Sequence, residues 1–321
     1  MLKVYKFQKG GVKSGSLNDL GSSSRCWADC INPTKKELKD ISEEAKIPLN
    51  ELKNVLDGEK RPKVSDLKNY SLIIVRAPSI ERDEISTTPL SIFISKNKNN
   101  IITITLKKVT ALDKINQLVA AKKIDLYEKG ISFFTYRIID EVLDTYFLIF
   151  DTLEDKIDVI EDKVIEKPDK TTVKSIFIIK KTLIYFHKAL TANREVISAI
   201  EKEYVANIDK KNIKRFRALY NDVTQLIDTG GTYRDILTGT LDVYLSSVSN
   251  NLGHVMKTLT LISAFVLIPT LISGIYGMNF NNASTYNMPE LYWQYGYFFA
   301  LGLMLFSMIT TFIFFRKKGW L

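Results

Sequence analysis

Two stretches near the C-terminus carry no charged side chain, Leu259 to Ile275 and Tyr295 to Phe315. A helix needs about 20 apolar residues to cross the hydrocarbon core of a bilayer. Each run is close to that length, and the first extends through Thr258 and Tyr276 without meeting a charge. Uncharged runs this long are rare in soluble cores, so two transmembrane helices are expected rather than a pair of buried core helices. Hydrophobic residues make up 45% of the 321 residues, an ordinary share for a globular protein, so most of the chain lies outside lipid. That length leaves room for about two domains.

The charges flanking the runs give an orientation. Lys257 precedes the first run, and Arg316, Lys317 and Lys318 follow the second, whereas Gly277 to Gln294 holds a single charge, Glu290. Basic flanks stay in the cytoplasm, so the expectation is a multi-pass protein of the cell membrane with both termini cytoplasmic and a short external loop. A net charge of +9 then reads as attraction to anionic lipid plus this bias, with no nucleic-acid partner implied. The N-terminus, Met1-Leu2-Lys3-Val4, lacks an apolar signal-peptide core. Cys26 and Cys30 are the only cysteines, and the histidines, His187 and His254, are far from them. Structural thiols are expected there rather than a zinc site. No P-loop and no catalytic constellation occurs, so neither an enzyme nor an organic cofactor is expected.

Residues 1–112 read as an α/β domain. Apolar, β-branched runs fit strands at Leu2–Phe7, Tyr70–Val75, Leu90–Ile94 and Ile101–Leu106. Pro33-Thr34-Lys35-Lys36-Glu37-Leu38 has the form of a helix start, a second short helix fits Leu49–Leu56, and Asn97-Lys98-Asn99-Asn100 marks a turn. Residues 113–257 read as a helical domain. Ile139, Leu143, Tyr146, Phe150, Leu153, Ile157, Ile160 and Val164 alternate steps of four and three, which is a heptad seam. It ends at Lys167-Pro168, where a helix with proline in its first turn can begin and run from about Asp169 to Val205. The next helix has no proline from about Lys210 until Pro269, and Gly230-Gly231 is its one weak point. Continuous to Ile275, it would be on the order of 100 Å long. The remaining divisions are a first span at 258–276, a loop at 277–294, a second span at 295–315 and a basic tail at 316–321. The fold class is therefore α+β: an α/β domain, long coiled-coil-like helices and two C-terminal transmembrane helices.

One stripe of the long helix, Asp242, Leu245, Ser249, Gly253, Met256, Leu259, Ser263, Leu267, Thr270 and Gly274, advances by three or four residues throughout, as the seam of a helical bundle does. Small residues inside lipid permit simple helix packing. Alternating hydroxyl and apolar residues also suit the lining of a narrow pore, which two spans from one chain cannot enclose without an oligomer. Asp242 favours the pore, because a carboxylate on a seam is costly unless it meets water or a cation. Gly277 can end the helix and bare backbone carbonyls, and Asn279 adds a side-chain carbonyl. Repeated about an axis, these form a ring of neutral oxygens, suited to Mg2+, which dehydrates reluctantly and keeps its waters. A helix C-cap is the plainer reading of Gly-x-Asn.

Tyr276-Gly277-Met278-Asn279, then Met288-Pro289-Glu290-Leu291 and a second span ending in basic residues, resembles the CorA magnesium-transporter family. The resemblance extends through Asp242 to Asn250 and Tyr233-Arg234-Asp235-Ile236, and reaches Arg61-Pro62-Lys63-Val64. It implies a funnel-shaped homopentamer whose first span lines the pore and whose Gly277-Met278-Asn279 loop is the selectivity filter. By motif match, Thr270, Leu267, Leu259, Met256 and Asp242 fall on pore-lining positions. At Gly253 the family often has Asn. The resemblance also implies closure by Mg2+ bound between cytoplasmic domains. The stalk position expected to hold a regulatory Asp is Ala218, so Asp222, one turn later, and Glu81, Asp83 and Glu84 become the expected ligands.

The expected function is potential-driven influx of hydrated Mg2+, with Co2+ a second cargo. Met256 and Leu259 form a hydrophobic gate, and Mg2+ is both transported and regulatory. The expected partners are other copies of the chain, membrane lipid and divalent metal ions. Two alternatives remain. One is a Zn2+ or Co2+ transporter of the same superfamily, although the stripe has none of the nitrogen or sulfur ligands zinc prefers and zinc-exporting relatives tend to lack the Met of the triplet. The other is a non-conducting oligomeric membrane-anchored sensor.

Overall fold

A computed structural model describes residues 1–8, 11–22, 24–81, 84–97, 99–123, 129–166, 169–205, 208–279 and 286–320. The N-terminal elements are β1 (Leu2–Gln8), β2 (Gly11–Ser14), the short helix α1 (Asn18–Gly21), β3 (Arg25–Ile31), α2 (Lys35–Ala45), α3 (Leu49–Asn54), β4 (Lys63–Asp66), β5 (Tyr70–Glu81), β6 (Glu84–Ser95), β7 (Asn100–Thr105) and α4 (Thr110–Ala120). The strands form one seven-stranded sheet in the order β2-β1-β3-β7-β6-β5-β4. β3 and β7 pair in parallel, and the other neighbours are antiparallel.

The four expected strands are present, and β2, β3 and β4 add to them. β2 and β4 are polar edge strands of 4 residues each, too short for a period-two signal. β3 does alternate, but in unusual residue types. Cys26, Ala28 and Cys30 enter the core beneath α1, α2 and α3 with Leu38, Ile41 and Leu52. Trp27 points to the opposite face, stacked on Tyr5 with ring centroids 5.3 Å apart. The two thiols are buried and unbridged. Four residues apart on one extended strand, they lie about 13 Å apart, too far to share a metal. The helix start at Thr34 is a capping box: its hydroxyl accepts from Glu37 N at 3.2 Å, and Glu37 Oε2 accepts from Thr34 N at 2.7 Å.

The long helices follow as α5 (Ile131–Glu166), α6 (Lys170–Glu201) and α7 (Lys210–Tyr276); after a 3-10 turn (Pro289–Tyr292) comes α8 (Gly296–Lys317). All eight seam residues of α5, from Ile139 to Val164, are buried. Lys167 and Pro168 lie outside the described residues. α6 starts after them, with Asp169 rather than proline at its N-terminus. The Asp169 carboxylate accepts from Thr172 N at 2.7 Å, satisfying a free helix N–H. Gly230-Gly231 does not interrupt α7. A Cβ on Gly230 would lie 3.2 Å from Phe150 Cε1, so the glycine admits the Phe150 ring of α5 against α7.

Helices and sheet are joined on the second face of the sheet. Phe134 of α5 meets Trp27 edge-on at 5.2 Å. β4 stops pairing at Ile74, and beyond it the Asn193 amide of α6 takes the place of a neighbouring strand. Its Oδ1 accepts from Arg76 N and its Nδ2 donates to Arg76 O, both at 2.8 Å. The Tyr146 hydroxyl also donates to Arg76 O, at 3.1 Å. Residues 1–241 and 242–321 form two compact units.

Candidate ion path

In the second unit, the later part of α7 and all of α8 are each long and apolar enough to cross a membrane. Phe265 meets Phe315 of α8 at 6.0 Å. Leu261, Ala264 and Ile272, also partly buried, share the face of Phe265. At about 100° per residue, the stripe Met256, Leu259, Ser263, Leu267, Thr270 and Gly274 lies half a turn away, opposite α8. Every one of these stripe residues is exposed, as are Asp242, Leu245, Ser249 and Gly253 upstream. Val255, Ile262 and Val266 beside them are equally exposed, as a lipid-facing surface would be. What distinguishes the stripe is its mixture of Ser, Thr and Gly with apolar residues. The Thr270 hydroxyl donates to Val266 O at 2.7 Å, so its own hydrogen is engaged and its lone pairs remain as acceptors.

α7 ends at Tyr276, directly before the triplet. Gly277 N still donates to Ser273 O at 3.0 Å, and Met278 N closes a tighter turn on Ile275 O at 3.2 Å. Gly277 ends the helix as expected, though without the left-handed glycine conformation that such caps commonly use. A Cβ there would make only ordinary contacts, about 3.4 Å from Ser273 O. Among the described residues nothing therefore requires glycine at 277, nor at 253 and 274, where a Cβ would meet nothing within 4 Å. Asn279 is exposed, and its amide makes no hydrogen bond among the described residues. Beyond residues 280–285, which lie outside the description, Glu290 Oε1 accepts from the Tyr276 hydroxyl at 3.1 Å. Lys257, Arg316, Lys317 and Lys318 are exposed at the other ends of the two apolar segments.

Among the described residues, the expected regulatory carboxylates are not gathered within one chain. Glu81 ends β5 and is paired with Lys107 at 2.7 Å. Glu84 is its backbone partner in the hairpin register, and Asp83 lies outside the described residues. Asp222 of α7 instead feels Asp144 of α5: burial first, then that charge, pushes its carboxyl above the usual range. Asp140 is pushed up by burial, by Asp144 and by Asp222, although Arg137 pairs with it and opposes the shift. Among the described residues, no group of three or more His, Cys, Asp or Glu side chains can hold a metal ion within the chain. Sequence reasoning missed Asp140, Asp144 and the Tyr276–Glu290 bond. The only available signal for the last was that Glu290 is the sole acidic residue after Asp242.

Residues 22–317 match the family model described as CorA-like Mg2+ transporter protein. The chain is 35% identical over 326 residues to the cobalt/magnesium transport protein CorA of Methanocaldococcus jannaschii, covering 100% of both. It is 34% identical over 272 residues to the CorA of Thermotoga maritima, covering 84% of this chain and 76% of that protein. The complete structure of the CorA magnesium transporter from Methanocaldococcus jannaschii superposes with a TM-score of 0.89 at 31% identity, covering 100% of this chain and 99% of that one. These relatives are transport proteins, not enzymes, and the exposed stripe leads into the same Gly-Met-Asn triplet on which the resemblance rested. The chain belongs to the CorA-like Mg2+ transporter family.

Proposed function

We propose that the chain forms a homopentameric, funnel-shaped channel in the cell membrane that admits hydrated Mg2+, and Co2+ as a second cargo. The observation that carries this reading is the stripe from Met256 to Gly274, which lies opposite α8 and leads to an exposed Asn279 amide that has no hydrogen-bond partner among the described residues. Several copies meeting along that stripe would bury it around water, leaving α8 outside towards lipid. Close approach of the copies also explains glycines at 253, 274 and 277 that no contact among the described residues requires. The names of the relatives, cobalt/magnesium transport proteins, support the choice of cargo.

A ring of Asn279 oxygens, with the carbonyls of Gly277 and Met278, holds the ion through its water shell. Thr270 and Ser263 offer further acceptors, and Met256 and Leu259 close the path by expelling water. Asp242 gathers cations at the cytoplasmic end. With Lys257 and Arg316 to Lys318 inside, both termini are cytoplasmic and the triplet faces outward. A divalent ion then gains about 4.6 kcal/mol per 100 mV on entry, so no ATP site is required. Cytoplasmic Mg2+ closes the channel by binding Asp222 together with Glu81, Asp83 and Glu84 of a neighbouring copy. The repulsion of Asp222 by Asp144 supports such a role, because a cation between copies would relieve it. A stripe without His or Cys disfavours zinc as cargo.

The deciding experiment is Mg2+ uptake into liposomes. Asn279→Ala removes the oxygen ring with little packing, so uptake should be lost while assembly persists. Asn279→Asp, a dense negative ring, should impair selectivity. Normal Mg2+ transport by Asn279→Ala would overturn the filter assignment and leave a differently lined path as the better account, whereas no uptake by the wild-type chain would leave a non-conducting assembly.

A further inference from the structure

We infer that the Tyr276 hydroxyl anchors Glu290 and thereby fixes the turn from which Gly277, Met278 and Asn279 leave the helix, making Tyr276 a positioning residue for transport. The inference rests on the filter reading above. Glu290 is tied at both ends of the external segment. Its carboxylate accepts from the Tyr276 hydroxyl at 3.1 Å, at the last residue of α7. Its backbone is held to the start of α8. Trp293 N donates to Glu290 O at 3.2 Å, and Gly296 N donates to Trp293 O at 2.8 Å.

Two further features fix the same residue. Met288, left-handed at φ 44°, aims the chain into the 3-10 turn, and Pro289 occupies its first position. A Cβ on Gly296 would overlap the Glu290 carbonyl oxygen, so glycine is required for this approach. One residue therefore bridges the ends of both spans. The bridge is a charge-assisted hydrogen bond, the stronger and more directional kind. Tyr276 immediately precedes the triplet, so a held phenol restricts how the next three residues can swing. A filter that grips a water shell needs its oxygens held at fixed separation.

Charge attraction is the competing role for Glu290, and the two roles respond to different substitutions. Tyr276→Phe removes only the donor. Glu290→Gln keeps an acceptor oxygen for the phenol and removes the charge, and Glu290→Ala removes both. Full-length protein in liposomes, with Mg2+ uptake measured against concentration and normalised to assembled oligomer, separates them.

We expect Tyr276→Phe to raise the half-saturating Mg2+ concentration about tenfold, the worth of one charge-assisted bond. Glu290→Gln, which keeps a neutral bond about half as strong, should rise only about threefold, Glu290→Ala should match Tyr276→Phe, and the double variant should be no worse than Glu290→Ala. Wild-type half-saturation in Tyr276→Phe, or an effect only on the amount of oligomer, would overturn the anchor. So would a loss in Glu290→Gln equal to that in Glu290→Ala. Asn279→Ala in the same assay keeps the two proposals apart: its normal transport refutes the filter, whereas its failure beside a normal Tyr276→Phe refutes the anchor alone.

Discussion

Replacing Asn193 by alanine should loosen the whole first unit, and the size of the effect follows from which groups lose partners. Asn193 is 1% exposed and makes two hydrogen bonds to the backbone of Arg76. After truncation, Arg76 O keeps the Tyr146 hydroxyl, but Arg76 N loses its Asn193 acceptor at a point where β4 no longer pairs with β5. A buried donor left without a partner costs about 1–3 kcal/mol. At about 2 kcal/mol the open population rises about 30-fold. The chain carries its own reporter, because Cys26 and Cys30 are both 0% exposed in β3. Burial pushes the Cys26 thiol up to about 11 and Cys30 up as well, so neither reacts at pH 8 while the unit is closed. Opening returns both to about 8.5. The assay is the rate of thiol labelling of full-length protein in detergent. We expect Asn193→Ala to label tens of times faster and Tyr146→Phe to change little, since Asn193 still holds Arg76 O. Labelling of Asn193→Ala within twofold of wild type would refute the strand-mimic argument.

Leu259→Asn should raise metal leak per assembled oligomer in flux assays, because a polar ring keeps the constriction wet; unchanged leak at normal assembly would count against a gate there. Asp222→Asn should stabilise the first unit at neutral pH in thermal unfolding. The sign follows from a folded pKa raised by burial and Asp144, which makes the folded state the better proton binder. Its stability then falls as pH rises from about 3.9, the ordinary Asp value, through the folded pKa. The variant should flatten that dependence and lose the protection from protease that millimolar Mg2+ gives wild type; equal protease sensitivity with and without Mg2+ in wild type would show that the feedback site lies elsewhere.

The helices were legible because their periods are long and clean. The α5 seam from Ile139 to Val164 is entirely buried, and α7 runs from Lys210 to Tyr276 as its uninterrupted pattern suggested. Strand β3 was not legible, because Asp29 and two cysteines stand where alternating β-branched residues would announce it. The edge strands are too short and polar to signal. Near the triplet, the stripe and Asn279 could be read from spacing and resemblance. The Tyr276–Glu290 bond joins residues 14 apart in sequence that no local period connects. Asp222 was noticed as a carboxylate, but its surroundings depend on α5 packing beside α7, which only the tertiary structure supplies.

The Asn193 contact also constrains how this hairpin can change length over evolutionary time. A single inserted residue in α6 between Phe186 and Asn193 would rotate the amide by about 100° and shift it by 1.5 Å. Arg76 would then face the wrong side of the helix while Phe186 stayed seated on Tyr146, at 4.9 Å between rings. Insertions and deletions are therefore excluded from the body of α6. They are admissible beyond Glu166 of α5 and before Lys170 of α6, where the two helices can lengthen together. Growth there by whole heptads on both helices preserves the facing of every residue below. The hairpin is thus variable at one end and fixed in phase at the other.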